Sequence, residues 1–196
     1  MTTVYFVRHC KADNSVQDDR LRPLKEKGLQ DRELVTRYLS DKEITAVLSS
    51  PYKRAVDTLV PFAKAADLEI TLVESLRERK SDSVWLPDEE FLQFVGRQWA
   101  DFSYALPDGE SLGEVQQRNI EALEMALTEH SGESLVIGTH GTALSTIINY
   151  YDNNYGINDF LAMVSIMPWI VVMEFDGLQC KQIEKMDLLT KKHAPQ

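Results

Sequence analysis

The chain has 196 residues, 43% of them apolar, which is material for one domain with a sizeable core. Acidic residues outnumber basic ones 31 to 21, so the overall field repels nucleic acid and anionic membrane surfaces, and an anionic ligand would need local positive charge. No apolar run approaches the ~20 residues of a membrane span, and Val4–Val7 is too short for a signal peptide.

Cys10 and Cys180 form neither a C-x-x-C pair nor a disulfide framework, which suits a reducing compartment and predicts a cytoplasmic protein. His9, His130, His140 and His193 lack the spacing of a familiar zinc motif, so no metal is expected.

In chain order, short apolar runs at Val4–Val7, Ala46–Leu48, Ile70–Val73, Leu135–Ile137 and Ile170–Phe175 read as strands. Segments of helical period lie between most of them, which predicts a three-layer α/β/α domain over residues 1–196 with a mostly parallel central sheet. Ser50-Pro51 predicts a helix beginning with Ser50 as N-cap and Pro51 in its first position. Residues 79–113 interrupt the alternation and read as a small helical cap insertion, with Phe91, Val95, Trp99 and Phe102 packed as a stripe and some of them walling a pocket. Ser111 with Glu114 forms a capping box for a helix reaching about His130, with Gly132 as its stop. Asp176-Gly177 reads as a hairpin turn that ends the sheet in an antiparallel strand. The polar tail from Lys191 to Gln196 is expected to be loose.

In such a sheet, ligands bind beyond the carboxyl ends of the strands. The residues that follow the strand runs are Arg8 and His9, then Ser49, Ser50 and Arg54, then Arg77 and Glu78, then Thr139, His140 and Gly141. Taken singly, each is an ordinary loop or packing residue. Together they place two imidazoles, several guanidiniums and a carboxyl on one rim, which suits a phosphoryl group better than a neutral ligand. Either His9 or His140 is a competent nucleophile near neutral pH, and Glu78 is the carboxyl best placed as general acid.

These residues fall in motifs that resemble those of the histidine phosphatase superfamily, also called phosphoglycerate mutase-like. Val7-Arg8-His9 is similar to its R-H-G, Ser49-Ser50-Pro51-Tyr52-Lys53-Arg54-Ala55 to its S-S-P-x-x-R-A, and Leu76-Arg77-Glu78 to its acid-bearing loop. Pro107-Asp108-Gly109-Glu110-Ser111 and Gly138-Thr139-His140-Gly141 resemble its G-E-S and T-H-G motifs. The resemblance implies that His9 is the nucleophile, that Arg8, Arg54 and His140 hold the phosphoryl oxygens, and that Glu78 is the proton donor. It also implies that neither a metal nor an organic cofactor takes part. Cys10, Lys11, Gly141 and Thr142 adjoin these positions and are expected among the substrate-binding residues. Cys10 stands where the family has glycine, Lys11 where it has an acidic or amide residue, and a thiol beside Arg8 and Lys11 is expected to have a lowered pKa.

The expected activity is metal-independent hydrolysis of a small phosphorylated metabolite through a phosphohistidine. Phosphoglycerate mutase chemistry is the alternative, and a non-catalytic phosphate-binding regulator is the reading motivated by Cys10. The sequence is compatible with a homodimer.

Overall fold

The computed structural model describes residues 1–81, 88–190 and 192–193. Seven strands form one sheet in the order β3-β2-β4-β1-β5-β6-β7: β1 Thr2–Arg8, β2 Ala46–Ser49, β3 Ile70–Leu72, β4 Ser134–Thr139, β5 Trp169–Asp176, β6 Gln179–Asp187 and β7 Lys192–His193. The pairings from β3 to β1 are parallel, and those from β1 to β7 are antiparallel. The sheet is thus an α/β one whose antiparallel part extends over β5, β6 and β7.

Alternation along the central strands explains the layers, because successive side chains must face opposite sides. Val4 and Phe6 of β1, Leu135 and Ile137 of β4, and Val171, Met173 and Phe175 of β5 enter one core. Tyr5, Val7, Val136, Ile170 and Val172 enter the other. The second core is covered by helices α1, Glu26–Leu39, and α2, Lys53–Ala65, through Val35, Leu39, Leu59 and Phe62. The first is covered by α3, Asp88–Ala100, α4, Leu112–Glu129, α5, Gly141–Tyr151, and α6, Ile157–Met163.

Ser111 and Glu114 close both halves of the capping box on α4. Gly177, at positive φ, makes the β5–β6 turn. The helix after β2 begins later than Ser50-Pro51 suggested: Tyr52 is the residue before α2, and Ser50 Oγ instead accepts from the Tyr52 amide at 3.2 Å. Part of the expected cap, 82–87, lies outside the described residues. The stripe within 79–113 is core: Val95 is buried, and Phe91 and Trp99 pack against the same cluster. In the tail, Lys192–His193 pairs with β6 rather than hanging loose, because the end of β6 leaves an edge to be paired. Residues 191 and 194–196 lie outside the described ones.

After β1 the chain loops outward and returns at Leu24, which bridges Ala12, before α1 begins. Gly28 in the first turn of α1 is packed against this loop so tightly that a Cβ there would lie 2.3 Å from the Lys11 carbonyl oxygen. That carbonyl also accepts the Lys25 amide at 2.9 Å, so it is not free to yield. Gly28→Ala is therefore expected to lower stability by about 1–3 kcal/mol, an overpacking cost, read as an earlier urea midpoint at unchanged slope. An unchanged midpoint would mean that the loop gives way.

Candidate active site

The site is built by register. Arg8 lies opposite Thr139 in the β1–β4 pair, and Ser49 lies opposite Gly138 in the β2–β4 pair. The three strands therefore end within one residue of one another, and the next residues are tied across the ends: the His9 amide donates to the Thr139 carbonyl at 3.1 Å, and the Ser50 amide to the Gly138 carbonyl at 2.9 Å. His9, Ser50 and His140 are thereby neighbours, with the two imidazole rings edge to face and their centroids 5.4 Å apart.

His9 Nδ1 lies 2.7 Å from the Cys10 carbonyl oxygen. A carbonyl only accepts, so Nδ1 carries the proton and Nε2 keeps its lone pair. Arg54, buried in the first turn of α2, donates from Nε to that Nε2 at 3.1 Å. Burial, reinforced by Arg54 and Arg8, holds the His9 pKa well below the usual histidine range, so the ring is neutral near pH 7. A neutral ring with its lone pair on Nε2 is the form of imidazole able to act as a nucleophile.

Arg8 is buried beside it, with Nη1 donating to the Met163 carbonyl at 2.7 Å and the Ile166 carbonyl at 3.0 Å. Its Nε has no hydrogen-bond partner among the described residues. Burial lowers the guanidinium pKa to about 10, with Glu78 opposing the shift, so it stays charged. Gly141 permits this placement, since a Cβ there would stand 3.3 Å from both Arg8 Nε and Nη2.

His140 precedes α5 and is fully buried, with Nε2 2.7 Å from Ser50 Oγ. Its Nδ1 has no partner among the described residues. Burial, then Arg54 and His9, keep its pKa well below the usual range. Glu78 lies at the amino end of α5, where its carboxylate accepts from the Thr142 and Ala143 amides, both at 3.0 Å, and from the Arg79 amide at 2.8 Å. Such an end is a natural seat for a negative group.

The structure thus brings Arg8, His9, Arg54, Glu78 and His140 to one place, with Gly141 and the Thr142 amide shaping its floor. Cys10 and Lys11 are different. The Cys10 side chain is buried among Val7, Leu24, Val35 and Leu59, and burial pushes its thiol up to about 12, the reverse of the expected lowering. Its backbone matters instead: the carbonyl holds His9, and the amide donates to Thr58 Oγ1 at 3.0 Å. Residue 10 does not adopt a left-handed φ, for the described non-glycine residues that do are Glu43 and Asp67. Lys11 is exposed and enters the structure through its carbonyl.

Sequence reasoning missed a supporting ring. Asp19 Oδ1 lies 3.1 Å from Arg54 Nη1 and 2.8 Å from Arg22 Nη1. Arg118 of α4 donates to the carbonyls of Ser75, Arg77 and Glu78 at 2.7, 2.8 and 3.2 Å, which fixes the loop that carries Glu78. Glu110 ties Arg118 to Arg77: burial would raise its carboxyl, but hydrogen bonds from Arg77 and Arg118 hold it down at about 2. The only hint was Glu110 in its motif, since nothing in an amphipathic helix marks Arg118. Among the described residues no cluster of three or more potential metal ligands forms, and no helix is long and apolar enough to cross a membrane.

Comparison with known proteins bears on the family and the fold. The family model of the histidine phosphatase superfamily (branch 1) matches residues 4–181. The chain is 30% identical over 161 residues to the protein named "Probable phosphoglycerate mutase GpmB" of Serratia proteamaculans (strain 568), a match covering 76% of this chain and 74% of that one. Among solved structures, Bacillus stearothermophilus YhfR superposes with a TM-score of 0.76 at 26% identity, covering 92% of this chain and 95% of that one. A mutant phosphoserine phosphatase from Entamoeba histolytica, in complex with phosphoserine, shares the fold with a TM-score of 0.75 at 17% identity, covering 93% and 96% of the two chains.

The two depressed histidines make stability depend on pH. Unfolded, each takes up a proton near pH 6.5, and folded only at lower pH, so the stabilisation is complete above about 6.5 and is lost as pH falls towards the folded values. The slope is at most about 1.4 kcal/mol per pH unit for each ring. His9→Gln is expected to flatten the loss of stability between pH 7.5 and 5.5 in urea titrations. A slope equal to that of the wild type would show that His9 is not buried in its neutral form.

Proposed function

Because this chain belongs to the histidine phosphatase superfamily, branch 1, we propose that it hydrolyses small phosphomonoesters through a phosphohistidine on His9. One observation carries the reading: a neutral imidazole keeps a lone pair on Nε2, met by the Arg54 Nε–H, in a buried site where Arg8 Nε and His140 Nδ1 lack partners among the described residues. A buried donor left unpaired costs about 1–3 kcal/mol, and phosphoryl oxygens would pair with both.

In this mechanism the Arg54 Nε donor passes from His9 Nε2 to the phosphoryl oxygens, which Arg8 and His140 also hold, and the freed Nε2 lone pair attacks phosphorus in line. The ester P–O bond breaks as the N–P bond forms, and Glu78, as general acid, passes a proton to the departing alkoxide. Water then attacks the phosphohistidine, Glu78 takes the proton back, and phosphate leaves with His9 restored. The relatives named as mutases support a second reading, in which the phosphoryl group returns to the substrate before water reaches it.

Quenching into alkaline detergent, which preserves the acid-labile P–N bond, is expected to leave label from phosphorus-labelled substrate on His9, and His9→Ala to abolish both label and turnover. Inorganic phosphate released from a panel of small esters supports hydrolysis, whereas isomerised phosphoglycerate without release would establish the mutase reading. Glu78→Gln is expected to slow alkyl phosphates at least about tenfold more than aryl phosphates, because a phenolate departs without a proton donor. Equal losses would remove Glu78 from the acid's role.

A further inference from the structure

We propose that Ser50 is a positioning residue whose hydroxyl donates to His140 Nε2, and that it thereby holds His140 in the tautomer that presents Nδ1–H to the phosphoryl group. The consequence for catalysis rests on the phosphohistidine reading, whereas the tautomer itself rests on local geometry. Ser50 is fully buried at the end of β2, and its carbonyl accepts from Ser49 Oγ at 2.8 Å, which fixes its backbone. Its Oγ has one proton and two lone pairs. One lone pair takes the Tyr52 amide at 3.2 Å, and the remaining partner among the described residues is His140 Nε2 at 2.7 Å.

Two proton placements satisfy that short contact. If Nε2 carried the hydrogen and donated to Ser50, the hydroxyl proton would have no acceptor among the described residues. Nδ1 would then be a buried lone pair turned on an anionic ligand. If the hydroxyl donates to Nε2, both atoms are satisfied and the single group left over is Nδ1–H, one of the buried atoms without a partner. The cost of burying unpaired polar groups favours the second placement, and an anion would complete it. The two histidines then work as complements. A carbonyl fixes His9 so that it shows a lone pair, and a hydroxyl fixes His140 so that it shows a proton.

The test is two-bond 1H–15N NMR on protein labelled with 15N-histidine, with the His140 signals identified by their loss in His140→Gln. The expected wild-type spectrum has a protonated Nδ1 and an unprotonated Nε2 at His140. Ser50→Ala should shift that ring towards Nε2–H and lower kcat/KM for phosphate release about tenfold or more. Ser50→Thr, which keeps the hydroxyl, should preserve the wild-type pattern and most of the activity. A wild-type His140 protonated at Nε2 would overturn the inference, as would a Ser50→Ala spectrum that keeps the wild-type tautomer. Failure of the phosphohistidine reading looks different, since His9 would then carry no label while the spectrum still decides the tautomer.

Discussion

Two backbone hydrogen bonds across the ends of parallel strands, from His9 to Thr139 and from Ser50 to Gly138, decide where every other group of the site must go. Parallel pairing in fixed register makes three strands end together, and a shift of one residue would send each side chain to the opposite face. With β1, β4 and β2 ending within one residue of one another, His9, His140 and Ser50 become neighbours although they are far apart in the chain. The chemistry is then supplied by residues one turn away: Arg54 from the start of α2, and the amides of Thr142 and Ala143 from the start of α5.

Charge inside the site runs against charge outside it. The chain carries a formal net charge of -10, yet its buried rim holds Arg8 and Arg54, with Arg22 close behind. Buried guanidiniums survive because each has carbonyls or carboxylates to lean on: Met163 and Ile166 for Arg8, Asp19 for both Arg54 and Arg22. These partners leave Arg8 Nε uncommitted, and burial, reinforced by the positive field of the guanidiniums, keeps the imidazoles neutral. An arrangement that depresses histidine pKa values and leaves donors unpaired is unfavourable to the folded protein by itself, as expected where stability is traded for function.

Much of this was legible in the sequence, and the reasons differ by element. The strands could be read because their side chains alternate between two cores, and the start of α4 because Ser111 and Glu114 form a reciprocal pair. The rim residues could be read because α/β sheets collect ligands at the carboxyl ends of their strands. The start of α2 was misread because Ser50 has two uses for its oxygen, and the bond to His140 and the turn to Tyr52 take precedence over a cap. Arg118 was invisible because its role is to hold carbonyls of a distant loop, a task no local pattern records. The pairing of Lys192–His193 was missed because it depends on an open sheet edge rather than on its own residues.

Cys10 shows how backbone and side chain divide the work at one position. A glycine beside a phosphate site suggests either a left-handed φ or an approach that no Cβ permits. Here φ is not in the left-handed region, and the thiol enters the apolar cluster under α1 and α2. The functional atoms of residue 10 are its carbonyl, which sets the His9 tautomer, and its amide, which is anchored on Thr58. Both belong to the backbone and are the same for cysteine as for glycine. The side chain meets a packing requirement on the far side, where a small apolar group fits and a charge would not. The departure from the family's glycine therefore leaves the hydrogen bonds of His9 in place.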